Sequence, residues 1–137
     1  MAHLADIVAR KQQHIVWQKQ HLPESTLQLL IETSPAPRPF AQHLREAKKP
    51  AIIAEIKRAS PSKGVLVTDT KTWQPQTLAR DFSQSGAAAL SVLTDEEFFW
   101  GNPKYVQFCK DVCGLPVLRK DFIVDPYQIT ESRWLGA

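Results

Sequence analysis

AIIAEIK, residues 51–57, is the stretch on which the reading turns. In an extended chain Glu55 and Lys57 point to one face, and Ile52, Ala54 and Ile56 to the other. A buried parallel strand is ordinarily apolar on both faces. Burying a glutamate and a lysine costs several kcal/mol per ion unless the pair is matched or functional. Two readings follow. One is an exposed strand with a surface ion pair; the other is a strand that carries a site.

Working outward, AAALSVLT (87–94) and PVLRKDF (116–122) read as second and third strands, each followed by a loop and then a helix. The helix punctuation repeats. Pro75 sits at a first helical position and Gly86 follows the helix end. Asn102 and Pro103 supply an N-cap and a first-turn proline, with Gly114 closing that helix. Asp125 and Pro126, with Gln128 three residues after the cap, open another, which Gly136 closes. Proline is tolerated at the first helical position because its missing N–H had no partner there, and glycine takes the left-handed closing conformation without Cβ strain. Three strand–loop–helix units in a row predict a parallel sheet with helices outside it. Strand starts at 51, 88 and 116 are 37 and 28 residues apart. A (β/α)8 barrel of ~250 residues repeats every ~31. A Rossmann-type sheet shares that period, but no G-x-G-x-x-G follows any of these strands. The expected class is therefore α/β with a parallel sheet; if the sheet is that of a TIM barrel, about three of its eight units are present, a partial barrel. Residues 1–49 form an N-terminal helical extension. Residues 50–137 form the first three βα units, and the chain is expected to be truncated before strand four.

In the extension, Leu4, Ile7, Val8 and Ile15 recur at helical spacing over residues 3–21. SPAPRPF (34–40) interrupts any helix, and FAQHLREAKK (40–49) reads as a short one.

Composition narrows the function. The 137 residues suit one domain, and 43% hydrophobic with 23% charged residues is ordinary for a folded chain. Seventeen Lys and Arg against 14 Asp and Glu give a net charge of +3. That excess fits a small anionic substrate, and with no Lys/Arg run interleaved with aromatics it predicts no nucleic-acid partner. Cys109 and Cys113 are spaced C-x-x-x-C, neither a redox pair nor a zinc pattern, and on a helix they share one face as free thiols. His3, His14, His21 and His43 lie far from them in sequence, so no metal site is expected. The N-terminus lacks the apolar core of a signal peptide and no stretch approaches ~18 apolar residues, which predicts no membrane span and a cytoplasmic setting.

Lys120 falls near the end of the third strand, sharing a face with Leu118 and Phe122. In α/β barrels the reacting residues lie at the C-terminal strand ends. Two lysines and a glutamate there suit acid–base chemistry on an anionic substrate. A buried lysine beside another cation titrates nearer neutrality, and a Schiff-base lysine is the competing use. The loop RASPSKG (58–64) offers Ser60, Ser62, Lys63 and Gly64 to a phosphate or carboxylate, although any βα loop can be Ser- and Gly-rich. Phe98, Phe99 and Trp100, just after the second strand, can wall an aromatic ligand or pack against the extension.

PAIIAEIKRASPSKGVL (50–66), ALSVLTDEEFFWG (89–101) and LPVLRKDFIVDPYQI (115–129), in this order and spacing, resemble indole-3-glycerol phosphate synthase over nearly the whole chain. The resemblance implies a (β/α)8 barrel and a carboxy-lyase of tryptophan biosynthesis. That enzyme closes the ring of 1-(2-carboxyphenylamino)-1-deoxyribulose 5-phosphate to indole-3-glycerol phosphate, releasing CO2 and water without metal or organic cofactor. By motif, Lys120 is similar to the general acid acting on the substrate carbonyl. Lys57 is similar to the lysine that engages the anthranilate carboxylate, with acid roles assigned to it in the later dehydration. Glu55 is similar to the strand-one glutamate that orients these lysines and serves as a base. Phe99 and Phe122 match aromatics near the anthranilate ring and pentose chain, and Ser60 a polar residue of the first loop. The family's strand-four glutamate and its main phosphate loops fall beyond this sequence, so the isolated chain is expected to be inactive. The alternatives are a non-catalytic half-barrel that self-associates or complements another barrel fragment, and another phosphosugar-binding barrel lyase or isomerase.

Overall fold

A computed structural model describes residues 3–69 and 72–137. Three helices come first: α1 (Leu4–His21), α2 (Glu24–Glu32) and α3 (Phe40–Glu46). They are followed by β1 (Ile53–Ile56), β2 (Ala59–Ser60), β3 (Gly64–Val65), α4 (Pro75–Gln84), β4 (Ala89–Leu93), α5 (Glu96–Phe99), α6 (Lys104–Lys110), β5 (Val117–Lys120) and α7 (Tyr127–Leu135). Strands β1, β4 and β5 form one parallel sheet in that order, with Glu55 level with Ser91 and Ser91 level with Leu118. This is the parallel, helix-covered sheet of a partial (β/α)8 barrel. Among the described residues no helix is long and apolar enough to cross a membrane.

Local chemistry explains the helix ends. Pro75 begins α4, and Gly86 follows it at φ +93°, a conformation that side chains resist. Asn102 Oδ1 accepts from the Lys104 N–H at 2.9 Å, supplying the expected cap for α6. At α7, Asp125 Oδ1 accepts from the Tyr127 N–H at 2.8 Å, and Gln128 Oε1 accepts from the N–H groups of Val124 and Asp125. That reciprocal arrangement is a capping box. Gly136 closes α7 at φ +92°. Gly114 departs from expectation. Its backbone is not left-handed, and α6 ends earlier, at Lys110. Cys113 therefore lies past the helix, yet its Sγ still reaches the Cys109 carbonyl at 3.3 Å, and both thiols are free.

Several elements depart from the sequence reading. α2 fills the stretch before the proline-rich break, and β2 with β3 forms a small antiparallel hairpin inside the first βα loop.

One face of the sheet is the core. Ile56, Leu90, Val92 and Val117 pack there with Ala79 of α4 and with Val106 and Cys109 of α6. A second, smaller core joins Ile15 of α1, Leu27 of α2 and Tyr127 of α7. Full burial of side chains such as Leu27 and Ile15 contributes roughly 1.5–3 kcal/mol each. The Tyr127 hydroxyl donates to the Leu22 carbonyl at 2.9 Å, so the second core is also anchored by a polar contact. The opposite face of the sheet is open: Ile53 and Leu118 are 45% and 44% exposed.

Candidate active site

Glu55, Lys57 and Lys120 all belong to the open face. Within β5, Val117 and Arg119 are buried while Leu118 and Lys120 are exposed, as strand alternation dictates. Lys57 Nζ lies 3.3 Å from Glu55 Oε1, and the Ser91 hydroxyl donates to Glu55 Oε2 at 3.3 Å. The lysine and glutamate side chains are 34% and 38% exposed, so their attraction contributes at most about 1 kcal/mol to stability. Lys120 pairs across the sheet with Leu93. The β1–β4 register carried one residue on sets Lys57 level with the other side of Leu93. The two lysines thus stand two strand spacings apart, about 10 Å between backbones. Among the described residues the Lys120 ammonium has no carboxylate partner. Lys120 is exposed and Lys57 half-buried, because the face they share is uncovered; the Glu55–Lys57 contact is thus the ion pair on an exposed strand that the first of the two readings of residues 51–57 described.

Phe99 ends α5, the helix after β4, and Phe122 lies just past β5. The Phe99 and Phe122 rings meet at 5.9 Å with a 47° tilt. The three consecutive aromatics diverge: Phe98 turns to a cavity beside α1, Phe99 to Phe122, and Trp100 to Arg58. They sit on and just after the short helix α5 rather than in a plain loop. Ser60 is buried, and its hydroxyl accepts from the Lys63 N–H at 3.2 Å, which fixes the hairpin turn.

Sequence reasoning passed over Ser91 and Arg58. Ser91 is the polar residue within an otherwise apolar strand, a signal that was legible. The Arg58 guanidinium carbon lies 5.6 Å from the Trp73 ring centre and 5.5 Å from that of Trp100, joining the first loop to the second. Such a partly exposed cation–aromatic contact contributes about 0.5–1 kcal/mol.

Behind Lys120, on the core side, lies a charged network. Lys11 of α1 places Nζ 2.8 Å from both Asp95 Oδ1 and Asp121 Oδ1. The Thr94 hydroxyl donates to Asp121 Oδ2 at 2.6 Å. Arg119 reaches Glu131 at 2.7 Å and Asp121 at 3.4 Å. Burial alone would raise the Asp121 pKa. The Lys11 charge, hydrogen bonds from Lys11 and Thr94, and the Arg119 charge outweigh it and hold the carboxyl below its usual range. Burial likewise pulls Lys11 down, but Asp121 and Asp95 more than restore it, so its pKa is raised. A cavity of about 330 Å³ lies between α1 and this network. None of the three open-face residues lines it. Glu55 instead borders a hollow of about 340 Å³ at the free edge of β1, beside Ala54 and Phe82.

The family model described as indole-3-glycerol phosphate synthase matches residues 4–137. The chain belongs to the indole-3-glycerol phosphate synthase family. It is 44% identical to the indole-3-glycerol phosphate synthase of Dechloromonas aromatica (strain RCB), over 98% of this chain and 51% of that protein. The indole-3-glycerol phosphate synthase of Acidithiobacillus ferrooxidans (strain ATCC 53993 / BNL-5-31) shows the same 44% identity and the same coverage. The chain thus spans about half the length of the curated indole-3-glycerol phosphate synthases it matches. The family is one of TIM barrels, and the three parallel βα units are a part of such a barrel.

Proposed function

We propose that this chain supplies the first three strands' share of an indole-3-glycerol phosphate synthase site, acting in the cytoplasm. The observation that carries the reading is the Glu55–Lys57 pair at 3.3 Å on an open sheet face that also bears Lys120. The substrate is the anionic phosphosugar–anthranilate conjugate. Lys57 pairs with its carboxylate. Lys120 gives a proton to the pentose carbonyl oxygen as the aromatic ring carbon attacks the carbonyl carbon. The carboxylate then leaves as CO2, restoring the aromatic ring, and loss of water completes the indole. Glu55 orients Lys57 and accepts a proton. Phe99 and Phe122 flank the ring and pentose chain, and Ser60 shapes the first loop. The reading requires no metal or organic cofactor.

By itself the 137-residue chain turns the substrate over poorly. Its reacting face is open to water, which weakens every charge–charge contact on it and leaves the phosphate end unheld. The uncovered face and the free edges of β1 and β5 favour a partner, either a second copy or a complementing barrel fragment.

The test incubates the chain with the carboxyphenylamino-deoxyribulose phosphate and follows indole fluorescence, with and without the C-terminal half of the Dechloromonas aromatica relative. The expected result is no signal from the chain alone, and a signal with the added half that Lys120→Ala abolishes. A signal that survives Lys120→Ala overturns the assignment of Lys120. Full turnover by the chain alone overturns the claim of poor isolated activity.

A further inference from the structure

At the end of the sheet opposite Lys120, three cationic side chains gather around one hollow. The segment from Ser34 to Arg38 and the last turns of α6 and α7 enclose about 250 Å³, and Arg38, Lys110 and Arg133 line it. Among the described residues none of the three is ion-paired with a carboxylate. Asp111 is the acid that lines the hollow, and its Oδ1 accepts from Gln107 Nε2 at 2.5 Å.

Two of the cations are committed to backbone. Arg38 donates to the carbonyls of Cys113 and Leu115 at 2.8 Å each and to that of Lys110 at 3.1 Å. Lys110 Nζ donates to the Gly136 carbonyl at 2.6 Å. The contacts to Lys110 and Gly136 satisfy free carbonyls at the ends of α6 and α7, where cations are favoured, and those to Cys113 and Leu115 hold the loop before β5. Arg133 differs. Its hydrogen bond to the Ser34 carbonyl is long, at 3.5 Å, and its Nη1 is buried without an acceptor among the described residues. A buried donor left unpaired is costly. Three cations thus line the hollow against the single carboxylate of Asp111, and burial, with Arg38 and Arg133, lowers the Lys110 pKa against the opposing pull of that acid.

We propose that this hollow binds a small phosphate-class dianion, held by the unpartnered side of Arg133 and by Lys110, with Arg38 bracing the floor. A guanidinium offers two parallel N–H donors to adjacent oxygens, the geometry of a phosphate face. The volume lies just below that of ordinary small-ligand pockets, so a phosphate with a small organic remainder fits. Trp134, 37% exposed, lines the same hollow and offers that remainder an apolar wall. The floor lies beside Leu115, just ahead of β5, whereas Lys120 ends that strand. Occupancy therefore does not compete with a ligand at the lysine-bearing face.

Inorganic phosphate is titrated into the purified chain at pH 8 and constant ionic strength, with sodium chloride as the balancing salt. Calorimetry reads binding and circular dichroism reads Tm. The expected result is saturable one-site binding with a Tm that rises with occupancy. Arg133→Gln and Lys110→Gln, each folded by circular dichroism, lose about tenfold or more in affinity. Lys104→Gln, at the start of α6 outside the hollow, binds as the parent does. Non-saturating heat, a Tm change that chloride reproduces, or unchanged affinity in Arg133→Gln or Lys110→Gln overturns the proposal.

Discussion

The ammonium of Lys11 lies 2.8 Å from the carboxylate of Asp121, 110 positions further along the chain and next to Lys120. The first helix thereby grips the end of the third sheet strand. The contact is nearly dry: the two side chains are 12% and 1% exposed. Removing one partner of such a pair leaves a buried charge behind. Lys11→Met is therefore expected to cost about 3 kcal/mol or more, read by urea denaturation at pH 7. The cost should depend on pH. Asp121 has a depressed pKa, so its contribution is present above the ordinary carboxylate value of 3.8 and fades as pH falls through the folded value. The gap between parent and variant should shrink in acid. Lys11 has a raised pKa, so its share is present below 10.5 and fades as pH rises through the folded value. A gap that stays constant from acid to neutral pH would contradict this account.

Lys120 should behave in the opposite way. It is exposed and, among the described residues, without a carboxylate partner, so Lys120→Ala is expected to shift unfolding stability by no more than about 0.5 kcal/mol. A thermal melt of the variant beside the parent checks this, and a large loss would mean the side chain holds structure rather than chemistry.

The two thiols should separate in reactivity. Cys109 is buried, and burial, with the neighbouring Cys113, pushes its pKa up to about 12. Thiolate is the attacking species. A disulfide-exchange reagent at pH 8 should therefore consume one equivalent rapidly, at Cys113, and the second only after unfolding. Rapid loss of both in the native state would show that Cys109 is accessible.

Glycine substitutions should rank by contact. A Cβ on Gly101 would strike the Leu93 carbonyl and crowd that of Asp95, so Gly101→Ala is expected to cost about 3 kcal/mol. Gly114 has neither a positive φ nor any neighbour within 4 Å of a built Cβ, so Gly114→Ala should be near neutral. Comparing the two Tm values is sufficient, and an equal loss in both would refute the ranking.

What the sequence disclosed was mostly local. Pro75, Gly86, Asp125 and Gln128 mark helix ends through contacts within a few residues, so their roles can be read from neighbours in the chain. The alternation of Glu55 and Lys57 likewise identifies a face without reference to anything distant. The hairpin of β2 and β3 escaped because two-residue strands carry no period to detect. Gly114 misled because a glycine after a helix signals closure only when the backbone turns left-handed there. Lys11 could not be found at all. It is one of several cations on an amphipathic helix, and its partners Asp95 and Asp121 are remote in sequence. The exposure of Lys120 was also beyond reach, since it depends on what covers the sheet rather than on the strand itself.

Strand β5 divides its labour by parity. Arg119 and, just past the strand, Asp121 are buried and fastened by Glu131, Thr94 and Lys11, while Lys120 between them is exposed. Fastened and free side chains thus alternate along one short stretch of backbone. A substitution at position 120 can change what the surface does to a ligand without loosening the frame that presents it. A substitution at 119 or 121 disturbs the frame whatever stands at 120. Substitution is consequently cheap at position 120 and costly at its two neighbours.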